Sequence, residues 1–191
     1  MTSSPVDPLR LERTRRYIFL ALLATLATAI HTVEYLFPTP APWFRFGFAN
    51  IFSVLALYLF DFRAAFTVTL TRIGFASLLL GRIFSPGFFL SLGGGLAAVA
   101  LMSLACHLGK RYFSPIGVSV IGAVGHVFGQ MLLAWLLLVQ HPGLWSLFPF
   151  FLFFALVAGL INGFAADFLL QTIRRHPSFA EAPTNRPTES L

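Results

Sequence analysis

The sequence predicts an all-α membrane protein, a polytopic bundle of six transmembrane helices of which the second is short. Of the 191 residues, 57% are hydrophobic and only 10% are charged. A soluble domain carries about 25% charged residues, so this chain has too few charges to cover a water-soluble surface. The apolar residues fall in long runs, and about 20 of them are needed to cross the hydrocarbon core as a helix. The predicted spans are 17–37, 47–60, 62–83, 87–108, 116–140 and 144–172.

Two polar tails flank the predicted membrane domain, which covers residues 17–172. We expect residues 1–16 to form an N-terminal tail and the proline-bearing residues 173–191 to form a disordered C-terminal tail. The first apolar run follows several arginines, as in a signal peptide, but it is too long for the apolar region of one and no clean cleavage site follows it. We therefore expect a retained span.

The second predicted span is shorter than the others. A helix over 47–60 would be only about 21 Å long at 1.5 Å per residue, less than the roughly 30 Å of the hydrocarbon core. It is either a shortened span or a re-entrant segment shielded by its neighbours. The distribution of charge favours the span, because only six crossings leave both basic pairs, Lys110–Arg111 and Arg174–Arg175, on the cytoplasmic side.

Positive charge is strongly asymmetric across the predicted membrane. With the N-terminus in the cytoplasm, the outer loops hold only Arg45 and Arg82, and the remaining basic residues outside the spans are cytoplasmic. This distribution predicts a multi-pass protein of the inner membrane with both termini in the cytoplasm. The formal net charge of +6 does not indicate a nucleic-acid partner, because the basic residues flank apolar runs as orientation signals do. The expected partner is the lipid bilayer.

Arg72 is the most informative polar residue, because it lies midway along the run 62–83. An arginine at the centre of a span costs about 2.5–3.5 kcal/mol on insertion scales, so it must face a polar interior. One interpretation is a contact with an anionic small-molecule ligand, whose carboxylate or phosphate matches the guanidinium geometry. The other is an internal ion pair with Glu34 or Asp167.

Further polar and glycine-rich positions lie at membrane depth. His126 and Gln130 are four residues apart and share one face of the fifth span. The run Gly93–Gly95 weakens its helix, so it predicts a kink, a very close contact or a ligand pocket. Asn162 and Asp167 of the last span are weaker candidates, and Asp167 can instead pair with Arg174 or Lys110. The proline-rich segment 38–45 either ends the first helix or forms a rigid lid over an outward-facing pocket.

Motifs for several kinds of chemistry are absent from the sequence. No G-x-x-x-x-G-K-[ST] loop is present, so the chain does not hydrolyse ATP itself. No G-x-S-x-G elbow or H-E-x-x-H helix is present either. The single cysteine, Cys106, excludes a disulfide framework and a cysteine-based zinc cluster. We expect no metal, no cofactor and no intrinsic catalytic activity.

Five short motifs lie along the chain, namely Pro40-x-Pro42, Arg45-x-Gly47-x-Ala49-Asn50-Ile51, Thr69-x-Thr71-Arg72, Ser91-x-Gly93-Gly94 and Gly117-x-Ser119-x-x-Gly122-Ala123-x-x-His126-x-x-Gly129-Gln130. Together they resemble the Gx transporter family, which is often labelled heptaprenyl diphosphate synthase component I and is similar to the S components of energy-coupling-factor transporters. The resemblance covers about residues 32–166. It departs from the family pattern at Trp43–Phe44 and at Val127.

The resemblance implies a substrate-binding subunit with six helices, an outward-facing pocket and an external ATPase module. That module would dock on small residues of the first helix, Ala21, Thr25 and Ala29. The alternative implied by the synthase label is a membrane partner of a polyprenyl diphosphate synthase, since the chain has no aspartate-rich motif for magnesium and diphosphate. Polar residues converging at membrane depth are expected to line the pocket: Arg45, Asn50, Arg72, Ser91, His126 and Gln130.

Overall fold

The structure, a computed structural model, describes residues 8–36, 47–109 and 113–175. The proline-rich segment, Arg45, Lys110, Arg111 and nearly all of the predicted C-terminal tail lie outside these residues. In the described part every regular element is helical, which confirms the all-α prediction. The helices are α1 (Pro8–Leu36), α2 (Asn50–Leu59), α3 (Phe62–Leu79), α4 (Pro86–Gly109), α5 (Pro115–Ala134) and α6 (Phe148–Arg175).

Five of the helical segments in the described residues are long and apolar enough to cross a membrane, and α2, with 10 residues, is not. The prediction of a short second helix is therefore confirmed. A π-helical turn (Trp135–Val139) extends α5, and a 3-10 helix (Pro142–Leu147) leads into α6. The first helix begins earlier than predicted, at Pro8, so most of the predicted N-terminal tail is helical.

Local sequence signals explain where two of the helices begin. Asp61 is the N-cap of α3, and its carboxylate accepts a hydrogen bond from the amide of Ala64. Ser114 caps α5 in the same way through the amide of Gly117, and Pro115 occupies the first helical turn. Such caps satisfy amides that have no partner within the helix, and they fix the two turns at one end of the bundle.

Contacts between the helix ends show that α2 connects the two ends of the bundle. At one end the amide of Phe48 donates to Glu34, near the C-terminal end of α1. At the other end Asp61 pairs with Arg16, near the N-terminal end of α1. The helical stretch between Arg16 and Glu34 is about 27 Å long at 1.5 Å per residue. The chain from Phe48 to Asp61 therefore runs alongside most of α1 in the opposite direction, with α2 as its helical part.

Both described ends of the chain lie at the same end of the bundle, the one that contains Asp61, which we call the terminal end. The hydroxyl of Tyr58 donates to the carbonyl of Phe113 in the connection before α5. Arg174, in the last turn of α6, lies near enough to Tyr58 to act on its hydroxyl electrostatically. The opposite end, where α1 reaches Glu34, is called the chamber end.

Glycines let the helices approach each other closely, as the sequence predicts. A Cβ on Gly163 would lie 2.7 Å from the Cα of Ile116, and one on Gly129 would lie 2.5 Å from the carbonyl oxygen of Gly93. Contacts this short leave no room for any side chain, so α5 packs against α4 and α6 with backbones in contact. Large apolar side chains such as Phe168 are exposed on the outside of the bundle, where lipid would cover them.

Candidate functional site

A polar chamber lies inside the bundle, towards the chamber end, and all six helices contribute to its wall. It offers about 50 Å³ to the centre of a water molecule, so it has room for more than one water. Apolar residues such as Ile73 and Val127 complete the wall. The polar side chains that line it are His31 and Glu34 from α1, Asn50 from α2, Arg72 from α3, Ser91 from α4, His126 and Gln130 from α5, and Asn162 from α6.

Arg72 brings a buried positive charge to this chamber. The side chain is only 3% exposed, and within the described residues its one hydrogen bond runs from Nη2 to Oδ1 of Asn50 at 3.5 Å. Its Nε has no partner in the described part of the chain. A guanidinium has five N–H donors, so most of the donor capacity of Arg72 remains uncommitted.

The ion pair considered for Arg72 is not formed with either acidic residue. Asp167 lies towards the terminal end, where it accepts a hydrogen bond from Gln171, so the proposal of Asp167 as the partner is wrong. Glu34 lines the same chamber as Arg72 and acts on it electrostatically, but no ion pair joins them. The predicted polar interior around Arg72 is therefore present, and it is a chamber rather than a closed salt bridge.

Two side chains hold the backbone that leads into α2 at the edge of the chamber. The carboxylate of Glu34 accepts from the amide of Phe48 at 2.7 Å, and Nδ2 of Asn162 donates to the carbonyl of Gly47 at 3.2 Å. Gly47 has a φ of +70°, a conformation that glycine adopts without strain. Residues 47–48 are thus fixed between α1 and α6, and Asn50 follows directly in the chamber wall.

The three consecutive glycines of α4 are explained by close contacts. A Cβ on Gly94 would lie 2.9 Å from Cε1 of His126, and one on Gly95 would lie 2.7 Å from Cδ1 of Ile73. Gly93 in turn lies against Leu133 and the backbone of α5. Glycine at position 94 therefore makes the space in which the imidazole of His126 reaches the chamber wall.

The chamber contains most of the residues predicted from the sequence and some that were not. Asn50, Arg72, Ser91, His126 and Gln130 all line it, whereas Arg45 lies outside the described residues. Sequence reasoning did not name His31 and treated Glu34 only as a possible ion-pair partner of Arg72. The signal that was available is their spacing, because residues three apart share one face of a helix.

Comparison with models of protein families shows to which family the chain belongs. Residues 23–169 match the family described as heptaprenyl diphosphate synthase component I, also known as the Gx transporter family. This match spans most of the chain and includes every residue of the chamber wall. The chain belongs to this family.

The fold of this component I family member is also found in a solved structure. That structure is the S component of a bacterial ECF transporter, with a TM-score of 0.67 and 18% sequence identity. The alignment covers 88% of this chain and 99% of that chain. The predicted S-component-like bundle is therefore confirmed at the level of the fold. Among curated proteins, no match to the sequence was found.

Within the described residues, the chamber wall of this component I chain contains one carboxylate, that of Glu34. Among the described residues, no group of three histidine, cysteine, aspartate or glutamate side chains is placed to hold a metal ion. The chamber is suited to hydrogen bonding and charge pairing with a small molecule.

The surface predicted for partner docking is accessible in the structure. Ala21, Thr25 and Ala29 lie one helical turn apart on α1, and all three are exposed. The hydroxyl of Thr25 donates to the carbonyl of Ala21, so this polar group has a partner within its own helix. Its role in docking remains a prediction.

Proposed function

We propose that this protein is the substrate-binding membrane subunit of an uptake system and that it holds a small polar ligand with an acidic group in the chamber. The observation that carries the proposal is the setting of Arg72, which is buried in the chamber wall and has, among the described residues, one long hydrogen bond and no partner for its Nε. A buried donor without a partner costs about 1–3 kcal/mol, and more if it is charged. A carboxylate or phosphate in the chamber would remove this cost.

Several features of the chamber favour a ligand over an isolated group of waters. Its wall combines apolar surface with a few convergent polar groups, which is the usual composition of small-molecule sites. Amide, hydroxyl and imidazole groups from four different helices accompany Arg72, namely Asn50, Ser91, His126, Gln130 and Asn162. A compact ligand of a few atoms fits the present volume, and a larger one requires the chamber to widen.

The transport part of the proposal is supported by the fold and by the position of the chamber. The similar structure belongs to an ECF transporter, in which it is the S component. In this chain the chamber lies away from both described ends, which we place in the cytoplasm on the basis of the charge distribution. The chamber then faces the outside of the cell. An external ATPase module would dock on Ala21, Thr25 and Ala29.

Untargeted mass spectrometry of the small molecules that the protein retains through gentle purification tests this function. Wild-type protein is expected to retain a molecule with an acidic group that Arg72→Ala loses. Arg82→Gln is the matched control, because Arg82 stacks on Tyr35 outside the chamber wall. Equal retention by wild type and Arg72→Ala would remove Arg72 from the site and with it the basis of the proposal.

The family description favours a second candidate, a membrane partner of a heptaprenyl diphosphate synthase. Stoichiometric co-purification of a soluble prenyl synthase would support it. In that case deletion of the gene for this protein should lower the amount of prenyl product. Arg72→Ala should leave that amount unchanged, because the chamber would have no role in prenyl synthesis. Loss of uptake with unchanged prenyl product would exclude this second candidate.

A further inference from the structure

The buried guanidinium of Arg72 contacts a neutral amide. Oδ1 of Asn50 accepts from Nη2 of Arg72 at 3.5 Å, and Asn50 is 7% exposed. Among the described residues, no carboxylate forms an ion pair with Arg72. An amide oxygen accepts a hydrogen bond but carries no net charge, so this contact orients the guanidinium and does not neutralise it.

The other branch of the same amide is confined by residues of α4 and α5. Nδ2 of Asn50 lies 4.0 Å from Sδ of Met102, and a Cβ added to Gly122 would lie 3.3 Å from Nδ2. Met102 is itself fully buried, and the same added Cβ would lie 2.6 Å from its Sδ. Because a guanidinium offers only donors, the amide oxygen faces Arg72 and the NH₂ group lies in this packed corner. The Asn50 side chain therefore has little room to turn away from Arg72.

The backbone of Asn50 is fixed as well. Its amide donates to the carbonyl of Gly47 at 2.8 Å, and that carbonyl also accepts from Nδ2 of Asn162 at 3.2 Å. A carbonyl oxygen has two lone pairs and can accept both bonds. The first turn of α2 is thereby tied to α6, so contacts outside α3 determine where the guanidinium of Arg72 is held.

We propose that Asn50 is the positioning residue of the chamber, which holds the guanidinium of Arg72 in place and keeps its charge available for the acidic group of a ligand. This inference rests on the proposed function and identifies a residue that makes the chamber select an anion. Aspartate has nearly the size and shape of asparagine, and at this position its carboxylate would itself pair with Arg72. The neutral amide orients the guanidinium without competing with the ligand for it.

Two substitutions of Asn50 test this role in the full-length protein. The probe is the acidic molecule that the wild type retains, which is identified by mass spectrometry, washed out and titrated back. Asn50→Asp should weaken its binding on the order of thirtyfold or more, because the acidic group must displace a carboxylate that is already in place. Asn50→Leu, which has a similar volume but cannot hold the guanidinium, should weaken binding by about tenfold.

Thermal unfolding of the washed proteins separates positioning from a merely structural role. Asn50→Asp should melt at the temperature of the wild type or above it, since the buried guanidinium gains a partner of opposite charge, while its affinity for the probe falls. Gln140→Glu is the matched control, because it makes the same change from amide to carboxylate at an exposed position outside the chamber wall. This control should bind the probe as the wild type does.

Three outcomes would overturn the inference. The first is wild-type affinity in Asn50→Asp, and the second is wild-type affinity in Asn50→Leu, which decides the test if Asn50→Asp does not fold. The third is a parallel loss of stability and affinity in both variants, which is the result of a structural role alone. The proposed function would stand in all three cases, because it depends on the loss of the molecule from Arg72→Ala. A wild-type protein that retains no acidic molecule would overturn both.

Discussion

The guanidinium of Arg72 is buried with far fewer hydrogen bonds than it can donate. Its single bond to Asn50 is 3.5 Å long, and its Nε has no partner in the described residues. Desolvating a charge costs several kcal/mol, and only good geometry with further hydrogen bonds recovers this cost. Arg72 therefore lowers the stability of the ligand-free bundle. We expect a bound ligand to offset this cost by pairing with the guanidinium.

We predict that Arg72→Met keeps or raises thermal stability and abolishes ligand retention. The methionine side chain fills a similar space without a charge to desolvate, and replacing buried charged groups by apolar ones of similar volume is often neutral or stabilising by about 1–4 kcal/mol. Thermal unfolding in detergent and mass spectrometry of retained molecules measure the two effects. Strong destabilisation together with unchanged retention would show that Arg72 is structural.

A second prediction concerns the glycine that makes room for His126. Gly94→Ala would place a Cβ 2.9 Å from the imidazole, so His126 must move, and we expect weaker ligand retention and a loss of about 1–3 kcal/mol in unfolding free energy. Gly74→Ala is the matched control, because no atom lies within 4 Å of its added Cβ. That control should gain up to about 1 kcal/mol from helix propensity and retain ligand normally. Equal behaviour of the two variants would contradict the packing described here.

Sequence reasoning at this scale succeeded where a polar residue interrupts an apolar run. Arg72, His126 and Gln130 were predicted because their burial in a span has a cost that must be recovered. His31 and Glu34 were harder to assign because they lie near the end of α1, where polar residues also occur without any function. Their role depends on the position of α2, which no pattern in the sequence determines.

The short helix α2 is the element on which the chamber depends. It begins inside the bundle at Asn50, and the residues before it are held by Glu34 and Asn162. Its length was predicted from the sequence, but its anchoring was not, because the anchors come from helices distant in the chain.

Asp61, at the opposite end of α2, gives a prediction about pH. Burial by itself would raise the pKa of Asp61, but the amide of Ala64 and the guanidinium of Arg16 outweigh it and lower that pKa below its ordinary value. The stabilisation by this carboxylate is then complete above about pH 4, the unfolded value, and is lost as the pH falls through the folded value. Asp61→Asn keeps a capping side chain but removes the charge.

Melting curves of wild type and Asp61→Asn across pH measure this contribution. We expect wild type to be more stable at neutral pH and the two proteins to converge at low pH. Because both partners of the Arg16–Asp61 pair are partly exposed, the difference should be small and should shrink at high salt. A difference that persists unchanged to acid pH would exclude an origin in the charge of Asp61.

The whole molecule is a bundle in which both described ends lie at the terminal end and the chamber lies towards the other. Hydrophobic run lengths and charge asymmetry predicted that the two ends lie on one side, because lipid imposes both of them directly, and the family resemblance implied the pocket on the other side. The same constraints say little about which helices are neighbours. Backbone contacts at Gly129 and Gly163 determine that, and they depend on the complete three-dimensional packing.

The orientation in the membrane is a prediction for the whole molecule. In a Cys106→Ala background, Ser146→Cys and Arg63→Cys place single thiols at the chamber end and at the terminal end. A membrane-impermeant maleimide added to intact cells should label the first variant and leave the second near background, and permeabilisation should allow both to react. Labelling of the Arg63→Cys variant in intact cells would reverse the proposed orientation and place the chamber towards the cytoplasm.

A crystal structure of the wild-type protein, extracted from its native membrane in mild detergent, tests the central claim most directly. The account predicts density for a small molecule in the chamber, with an acidic group within hydrogen-bonding distance of the guanidinium of Arg72. An ion pair closed directly between Arg72 and Glu34, with the chamber collapsed around it, would contradict the account.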